Sequence, residues 1–290
     1  MPTILVTGAN GQLGNELRVL SAGYPQYDFL FVTRNELSIG DLDAVTNYFN
    51  ENKIDHCINC AAYTAVDKAE SDIENAFLIN GEAVGNLAAV CKQHAAKFIH
   101  VSTDYVFDGT ATEPIKEDRT VNPIGIYGAS KLKGEELAFK NNPDTIIIRT
   151  SWVYSSFGNN FVKTMMRLMK ERESINVVND QRGCPTYAAD LAAAIMTIVE
   201  KRSAFNTQYS IFNYSNSGNI VWYDFAIAIK ELIGSNCIVN PIPTSQFPTP
   251  AKRPAYSLLD TTKIQQTFGV GVPEWKESLK KCLAILTTTA

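Results

Sequence analysis

The first half of the chain alternates short apolar runs with segments whose apolar residues recur at helical spacing. The pattern predicts five strands, at residues 4–7, 29–32, 55–61, 97–101 and 145–149. It predicts helices between them, at residues 12–20, 42–50, 74–94 and 127–139. Strands rich in Ile and Val that alternate with helices are typical of βαβ units, so we expect a parallel sheet covered by helices on both faces.

The second half of the chain is less regular. Helical spacing recurs at residues 160–171, 190–200 and 223–233, and residues 240–254 contain five prolines. We predict an α/β fold with a Rossmann-type doubly wound parallel sheet in residues 1–152. A smaller, irregular lobe, mainly residues 153–290 with some segments returning to the sheet, is expected to bind the substrate in a crevice at the carboxyl ends of the strands.

Composition narrows the classes of function. The 290 residues carry a formal net charge of −4, which argues against a nucleic-acid partner because nucleic-acid-binding surfaces are basic. No apolar run reaches the roughly 18 residues of a membrane span. The N-terminus has neither the basic region nor the cleavage site of a secretory signal. We therefore predict a cytoplasmic protein that binds neither membranes nor nucleic acids.

The six cysteines are expected to be free thiols, as is usual in the cytoplasm. Cys57 and Cys60 form a C-x-x-C pair inside a predicted strand. Residues three apart in a strand point to opposite faces of the sheet, which disfavours a metal or redox pair at these positions.

A glycine-rich turn follows the first predicted strand and opens the first predicted helix. Its sequence, TGANGQLG at residues 7–14, has the spacing G-x-x-G-x-x-G. Such glycines let the backbone approach a pyrophosphate, and the helix N-terminus supplies free N–H groups. A plain glycine turn is the alternative, but the strand before it and the helix after it favour dinucleotide binding. The predicted cofactor contacts here are Gly8, Asn10, Gly11, Gln12, Leu13 and Gly14.

The end of the second strand bears on the choice of cofactor. An acidic residue there binds the ribose 2′-hydroxyl of NAD, whereas an arginine suits the 2′-phosphate of NADP. The strand ends in Val32, Thr33 and Arg34, and Glu36 comes two residues later. A solvated surface arginine is the alternative reading of Arg34. We predict NADPH as the cofactor, with NADH also accepted.

Tyr127 and Lys131 stand four residues apart in a predicted helix and so share one face. An ammonium near a phenol lowers the phenol pKa, and a phenol tuned in this way exchanges a proton with a carbonyl oxygen while hydride moves at carbon. Ser102 and Thr103 end the fourth strand, where a hydroxyl reaches the crevice. Either side chain is a candidate to hydrogen-bond the reacting oxygen, and satisfaction of nearby backbone groups is the alternative.

With these motifs, the chain resembles the extended short-chain dehydrogenase/reductases along nearly its whole length. Within that family it is similar to the branch that reduces dTDP-linked keto-sugars. The matching segments are TGANGQLG at 7–14, NCAAYTAVDKAE at 59–70, STDYVFDG at 102–109, YGASKLKGE at 127–135, RTSWVY at 149–154, GNNFVKTM at 158–165, NDQRGCPT at 179–186, WYDFA at 222–226 and FPTPAKRP at 247–254. The resemblance implies reduction of the C4 keto group of dTDP-4-dehydro-β-L-rhamnose to dTDP-β-L-rhamnose by NAD(P)H, in a monomer or homodimer.

The resemblance also implies roles by position. Tyr127 would donate a proton to the sugar C4 oxygen, Lys131 would tune Tyr127 and hold the nicotinamide ribose, and Thr103 would hydrogen-bond the sugar oxygen. Asp104 and Trp152 would contact the sugar or its nucleotide. Further expected cofactor contacts are Ala62, Tyr63 and Thr64 after the third strand, and Ser38 and Ile39 near the adenine, where the family commonly has an Asp in place of the Ser.

Two further points concern charged residues. Arg182 and Arg253 are candidates to bind the substrate diphosphate, because an acidic protein needs local cations for it, and solvated surface charges are the alternative. Some relatives bind a divalent metal through glutamates between subunits. Glu16 matches one of these, but the others are missing, so no metal is predicted.

Two other functions remain open from the sequence. The same branch resembles the regulatory β subunit of methionine adenosyltransferase, a non-catalytic binding module that would not need Tyr127 or Lys131. A nucleotide-sugar epimerase or dehydratase is the other alternative. Dehydratases commonly carry an Asp-Glu pair after the active-site threonine, and here Thr103 is followed by Asp104 and Tyr105.

Overall fold

The computed structural model describes residues 1–201 and 210–288. The strands are β1 (Thr3–Thr7), β2 (Asp28–Val32), β3 (His56–Asn59), β4 (Lys97–Thr103), β5 (Ile146–Thr150), β6 (Val153–Tyr154), β7 (Ser174–Val178), β8 (Arg182–Gly183), β9 (Thr186–Tyr187), β10 (Ser210–Tyr214), β11 (Ile220–Val221) and β12 (Ile238–Ile242). The α-helices are α1 (Gln12–Ser21), α2 (Leu42–Glu51), α3 (Val66–Ala69), α4 (Ile73–Phe77), α5 (Ala83–Gln93), α6 (Ile126–Asn141), α7 (Phe161–Glu171), α8 (Ala188–Lys201), α9 (Trp222–Ile233), α10 (Thr262–Phe268) and α11 (Trp275–Thr288).

A parallel sheet forms the centre of the molecule. Within the described residues it has six strands in the order β10-β5-β4-β3-β1-β2. The strand order reverses at β1, which lies between β2 and β3. In doubly wound folds, ligands bind outside the carboxyl ends of the strands at such a reversal. The predicted Rossmann-type fold is confirmed, and the predicted glycine turn lies at this point of the sheet.

Hydrophobic clusters cover both faces of the sheet. One cluster joins α1 and α8 to one face, with Leu17 and Ile195 fully buried. The other joins α2 and α5 to the opposite face, with Val84 and Leu87 fully buried. The predicted strands in the first half are each present, although the third ends at Asn59, two residues earlier than expected.

The predicted helix at residues 74–94 is interrupted. A π-helical turn, Leu78–Glu82, separates α4 from α5. The periodicity did not reveal this turn, because one extra residue in a helical turn barely changes an amphipathic pattern. The turn carries Asn80, which is fully buried although it is polar.

The second half contains strands whose positions the pattern did not predict, although we expected some segments to return to the sheet. β10 pairs with β5 and so extends the central sheet. β7 and β12 pair in parallel in a separate sheet, where Pro241 lies in β12 because this strand pairs on one side only. A further hydrophobic core, in which Phe225 and Leu279 are fully buried, joins α7, α9 and α11. The division at residue 152 into cofactor and substrate domains stays a prediction.

Three further observations concern classes of site. No described helix is long and apolar enough to cross a membrane. In residues 1–201 and 210–288, no three or more His, Cys, Asp or Glu side chains are grouped so that they could hold a metal ion. The cysteines are free, and burial raises the pKa of the Cys57 and Cys60 thiols.

Candidate active site

A cavity of about 840 Å³ opens at the carboxyl ends of β1, β3 and β4. All of the predicted catalytic and cofactor residues line it, as do two of the four additional residues predicted to contact the sugar or its diphosphate. The predicted residues in its wall are Gly8, Asn10, Gly11, Gln12, Leu13, Gly14, Arg34, Ser38, Ile39, Ala62, Tyr63, Thr64, Thr103, Asp104, Tyr127, Lys131 and Trp152. Residues far apart in the sequence therefore meet in one crevice.

The glycine turn is built so that only glycine fits at two positions. Gly8 has a φ of +65°, and a Cβ there would lie 2.7 Å from the backbone nitrogen of Ala61. A Cβ on Gly14 would lie 2.6 Å from Gly8 O. Helix α1 begins after Gly11 with no side chain capping its first N–H groups. These groups are free to bind an anion in the cavity.

The loop after β3 is held by the π-helical turn. Asn80 Oδ1 accepts a hydrogen bond from the Tyr63 backbone N–H at 2.8 Å, and Asn80 Nδ2 donates to Tyr63 O at 3.0 Å. The same Nδ2 donates to Ser130 Oγ on α6 at 3.0 Å. One buried amide therefore fixes the loop 61–64 relative to the helix that carries Tyr127. Sequence analysis missed Asn80, since a single Asn in a helical pattern carries no signal of its own.

Arg34 is exposed at the end of β2 and lines the cavity. The nearby carboxylate of Glu36 is turned back onto the chain. It accepts hydrogen bonds from the backbone N–H and the hydroxyl of Thr33, both at 2.8 Å. These bonds lower the pKa of Glu36. Its Oε2 is thus occupied locally, while Arg34 lines the cavity as the cation at this strand end.

Close packing positions the active-site end of α6. A Cβ on Gly128 would lie 2.1 Å from Tyr105 O, so glycine lets the short 3₁₀ turn Asp104–Val106 lie against the helix. The rings of Tyr105 and Tyr127 meet edge to face with centroids 5.4 Å apart. The contact brings the end of β4 next to Tyr127, as expected for residues that share one site.

The tyrosine–lysine pair differs from the expectation in one respect. Burial raises the pKa of Tyr127 above its ordinary value, and a hydrogen bond with the Thr103 side chain offsets part of this. Lys131 Nζ donates to Val101 O at 2.7 Å and lies 3.2 Å from His100 Nε2. The prediction that Lys131 lowers the Tyr127 pKa is therefore wrong for the protein by itself, because the lysine nitrogen is engaged with β4 and burial dominates.

Asp104 is the buried acid of the site. Its Oδ1 accepts a hydrogen bond from Thr103 Oγ1 at 3.0 Å, and Thr103 Oγ1 accepts one from the Tyr105 N–H at 3.2 Å. Burial raises the pKa of Asp104 to about 6. Ser102 also lines the cavity, and its buried Oγ has no hydrogen-bond partner among the described residues.

Trp152 closes the far side of the cavity. It is one of two non-glycine residues with positive φ in the described part of the chain, at +49°. Its ring stacks on Trp222 with centroids 3.7 Å apart and planes 15° apart. The stack holds a conformation that a bulky side chain rarely adopts. Trp222 begins α9, in the WYDFA segment, and sequence analysis gave it no individual role.

The two predicted diphosphate-binding arginines lie outside the cavity wall. Arg182 is exposed, and its guanidinium donates to Asn219 Oδ1 at 2.8 Å. Arg253 is one side chain removed from the cavity, because it donates to the hydroxyl of Tyr105 at 3.1 Å. It also forms an ion pair with Asp67 at 2.7 Å.

A dinucleotide cradle at the end of β1 and a tyrosine–lysine pair on a helix beside it occur together in the extended short-chain dehydrogenase/reductases, and this protein is an oxidoreductase of that class. A family model described as the RmlD substrate binding domain matches residues 2–288. The chain belongs to this family.

The relatives described here match this chain over nearly the full length of both chains. The dTDP-4-dehydrorhamnose reductase of Aggregatibacter actinomycetemcomitans is 42% identical, over 98% of this chain and 99% of its own. The crystal structure of a dTDP-4-dehydrorhamnose reductase from Clostridium acetobutylicum has a TM-score of 0.94 and 43% identity, over 98% and 99% of the two chains. That of the Bacillus anthracis reductase in complex with NADP has a TM-score of 0.92 and 37% identity, over 98% and 100%.

Proposed function

We propose that the protein reduces the C4 keto group of dTDP-4-dehydro-β-L-rhamnose to the hydroxyl of dTDP-β-L-rhamnose, with NADPH as the reductant and NADH as a second donor. The observation that carries this proposal is the presence of Tyr127, Lys131 and the glycine turn in one cavity wall. The full-length similarity to dTDP-4-dehydrorhamnose reductases supports the choice of substrate.

The cavity residues fit a dinucleotide. A Cβ on Gly8 or Gly14 would fill the cradle, and the uncapped N-terminus of α1 supplies N–H groups for a pyrophosphate. Arg34 would hold a 2′-phosphate, and Ile39 is a buried apolar residue against which an adenine would pack. Ser38, Ala62 and Thr64 would complete the contacts. When bound, the reduced nicotinamide supplies the hydride that adds to the sugar carbon.

Tyr127 supplies the proton that balances the reaction. Its raised pKa keeps the phenol protonated, which is the form that donates to the carbonyl oxygen as that oxygen gains charge. The ketone thereby gains a hydride at carbon and a proton at oxygen, and Tyr127 is left as a phenolate until solvent returns a proton. Thr103 would hold the same oxygen once its hydroxyl turns away from Asp104 Oδ1, and Lys131 would hold the nicotinamide ribose.

The substrate would occupy the side of the cavity lined by Asp104 and Trp152. The stacked Trp152–Trp222 pair offers a rigid aromatic wall for the sugar or base. Arg253 lies beside Tyr105, where it would reach a diphosphate after leaving Asp67. Arg182, which donates to Asn219, would contact the outer end of the same nucleotide-sugar. Its position outside the cavity wall supports this contact less strongly than the position of Arg253 supports a contact with the diphosphate.

Particular residues of the site favour a reductase over the two alternative functions. A non-catalytic binding module would have no need for Tyr127 and Lys131 to share one cavity wall with Thr103. A dehydratase would need a second acid where Tyr105 stands, and that side chain instead packs on Tyr127. We further propose that the enzyme acts in the cytoplasm, which its free cysteines support. A monomer or homodimer stays our prediction.

Loss of NADPH absorbance with dTDP-4-dehydrorhamnose, generated by coupled upstream enzymes, tests the function. Tyr127→Phe removes the proton donor and is expected to lower kcat by at least about 100-fold, while NADPH binding persists. Tyr24→Phe is the matched control, because Tyr24 lies outside the cavity wall. Full turnover in Tyr127→Phe, or no turnover in the unmodified protein, would contradict the proposal.

A further inference from the structure

A buried chain of polar side chains runs from Lys131 across three strands of the sheet. Lys131 Nζ lies 3.2 Å from His100 Nε2, and His100 Nδ1 lies 3.0 Å from Asn59 Nδ2. Asn59 Oδ1 accepts a hydrogen bond from the Thr7 hydroxyl at 2.6 Å. Thr7, Asn59 and His100 have no exposed surface, and Lys131 is 2% exposed. Each donor in the chain therefore needs an acceptor inside the protein.

The orientation of the Asn59 amide is decided by the backbone. The N–H of Ala61 lies 3.2 Å from Asn59 Oδ1, and a backbone N–H can only donate. The amide oxygen must therefore face Ala61 and Thr7, which leaves Nδ2 facing His100 Nδ1. An amide nitrogen also only donates, so Nδ1 of His100 is the acceptor. A neutral imidazole then carries its hydrogen on Nε2.

That hydrogen points at the lysine nitrogen. An ammonium group has no lone pair and cannot accept a hydrogen bond, whereas a neutral amine can. We propose, building on the role proposed above for Lys131, that His100 is a positioning residue that donates its Nε2–H to Lys131 Nζ and thereby holds Lys131 as a neutral amine in the cofactor-free protein at alkaline pH. The amine in turn donates to Val101 O at 2.7 Å.

The surroundings of the amine agree with this assignment. The titratable groups around it come from three elements: Cys60 after β3, His100 on β4, and Tyr127 and Glu135 on its own helix. The Glu135 carboxylate is already paired with Arg149 at 2.6 Å, so it is no direct counter-ion for Lys131. Burial lowers the pKa of Lys131 to about 8 and that of His100 well below 6.5.

The arrangement has a functional consequence. A lysine held as an amine takes up its proton when a negative charge or a new acceptor arrives in the cavity. Cofactor binding at mildly alkaline pH is therefore expected to consume a proton. At that pH, the charge that would stabilise a Tyr127 phenolate would thus be present only in the loaded enzyme, which separates the state of Lys131 before binding from its state during turnover.

The tautomer of His100 tests the proposal directly. We would label the cofactor-free protein with ¹⁵N-histidine and record two-bond ¹⁵N–¹H correlations above about pH 8, where the amine of Lys131 is the main form, assigning His100 by its absence in His100→Gln. The expected spectrum has hydrogen on Nε2 and none on Nδ1. A hydrogen on Nδ1 would mean that His100 accepts from a lysine ammonium, and would overturn the proposal. The spectrum needs no turnover, so its outcome is independent of whether the proposed reaction occurs.

Asn59→Asp should reverse the direction of the hydrogen bond between His100 and Lys131. The carboxylate keeps the acceptor for Ala61 and Thr7 but replaces the donor facing His100 Nδ1 with a second acceptor. The hydrogen on His100 should move to Nδ1, and Nε2 should then accept from Lys131. The pKa of Lys131, followed by the ¹³Cε shift of labelled lysine, should rise from about 8 towards its ordinary value.

Two comparisons keep this test decisive. Asn240→Asp, on the partly exposed side chain that donates to Asn176, should leave both His100 and Lys131 unchanged. An unchanged Lys131 titration in folded Asn59→Asp would contradict the proposal. If Asn59→Asp does not fold, the tautomer of His100 in the wild-type protein alone decides whether the proposal holds.

Discussion

Arg253 and Asp67 form an ion pair at 2.7 Å that joins the proline-rich segment to the start of α3 beside the cavity. The backbone N–H of Ala251 donates to the other Asp67 oxygen at 3.2 Å, so one carboxylate holds this segment twice. Arg253 also donates to Tyr105, whose ring contacts Tyr127. The guanidinium of Arg253 therefore lies close to Tyr127, the proposed proton donor. Asp67 competes with any anionic ligand for this guanidinium.

Replacing Arg253 tests whether its guanidinium binds the substrate. Arg253→Ala should raise KM for the nucleotide-sugar by about tenfold, the loss expected for a hydrogen bond to a charged group, and leave KM for NADPH unchanged. Steady-state kinetics with each substrate varied in turn measures both constants. Lys252→Ala is the control, as an exposed neighbouring cation. Equal increases in both KM values would indicate a structural role for Arg253 instead.

Asp67→Asn separates binding from structure at the same contact. The amide weakens the hold on Arg253, so KM for the nucleotide-sugar should fall or stay constant. Because the pair is partly exposed, the free energy of unfolding should drop by no more than about 1 kcal/mol. Kinetics and urea unfolding of the same preparation measure the two effects. A raised KM would show that Asp67 itself contributes to substrate binding.

Arg34 should control the preference between the two nicotinamide cofactors. Arg34→Ala removes the cation at the end of β2 and is expected to raise KM for NADPH by about tenfold, with little change for NADH. Arg18→Ala is the matched control, since Arg18 stacks over Phe31 and does not line the cavity. Parallel loss with both cofactors would assign Arg34 to the shared part of the dinucleotide.

Gly14 should tolerate no side chain. A Cβ there would lie 2.6 Å from both Ala9 Cα and Gly8 O, so Gly14→Ala must displace the glycine turn. We expect the free energy of unfolding to fall by about 1–3 kcal/mol and NADPH binding to weaken sharply. Gly271→Ala is the control, because nothing lies within 4 Å of its Cβ position. Urea unfolding and NADPH fluorescence titration give the two quantities; normal binding by Gly14→Ala would rule out the close approach.

Asp104 should make stability depend on pH. Its pKa is about 6 in the fold and ordinarily near 3.8, so the folded chain binds a proton more tightly than the unfolded chain. The protein therefore loses stability as pH rises from about 4 through about 6, by about 3 kcal/mol at most. Asp104→Asn, which carries no charge, should raise the melting temperature at neutral pH and lower turnover by losing the sugar contact.

The gain from Asp104→Asn should vanish near pH 4, where the wild-type carboxyl is already protonated. Asp108→Asn is the matched control of opposite sign, because hydrogen bonds from Thr110 lower the pKa of this partly exposed carboxylate. Thermal unfolding from acidic to neutral pH gives both profiles. A constant difference between Asp104→Asn and wild type at every pH would mean that Asp104 does not titrate in this range.

Much of the site was predictable because its signals are local. The strand before Gly8 and the helix after Gly14 identify a dinucleotide turn, since only glycine allows the backbone to approach so closely there. The four-residue spacing of Tyr127 and Lys131 follows from helix geometry. Thr103 and Asp104 end a buried strand, so the parallel sheet had to bring them to the same edge.

Other features depend on contacts between distant segments. Asn80 acts through a π-helical turn that leaves the hydrophobic pattern almost unchanged, and His100 lies in an apolar run that reads as core. Trp222 supports the cavity wall only because it stacks on Trp152, which lines the cavity. β12 contains Pro241, which has no N–H and so disfavours a strand. Only the pairing seen in the structure shows that β12 is an edge strand, where a proline is tolerated.

The sequence by itself determined the fold class, the cofactor turn and the reactive pair, because backbone conformation and hydrophobic period are properties of neighbouring residues. Only the tertiary structure decided the protonation and direction of the reactive groups. Lys131 turns to Val101 and His100, and the pKa of Tyr127 rises rather than falls. Burial and hydrogen-bond geometry set these properties, and both depend on partners that the fold brings in from other strands.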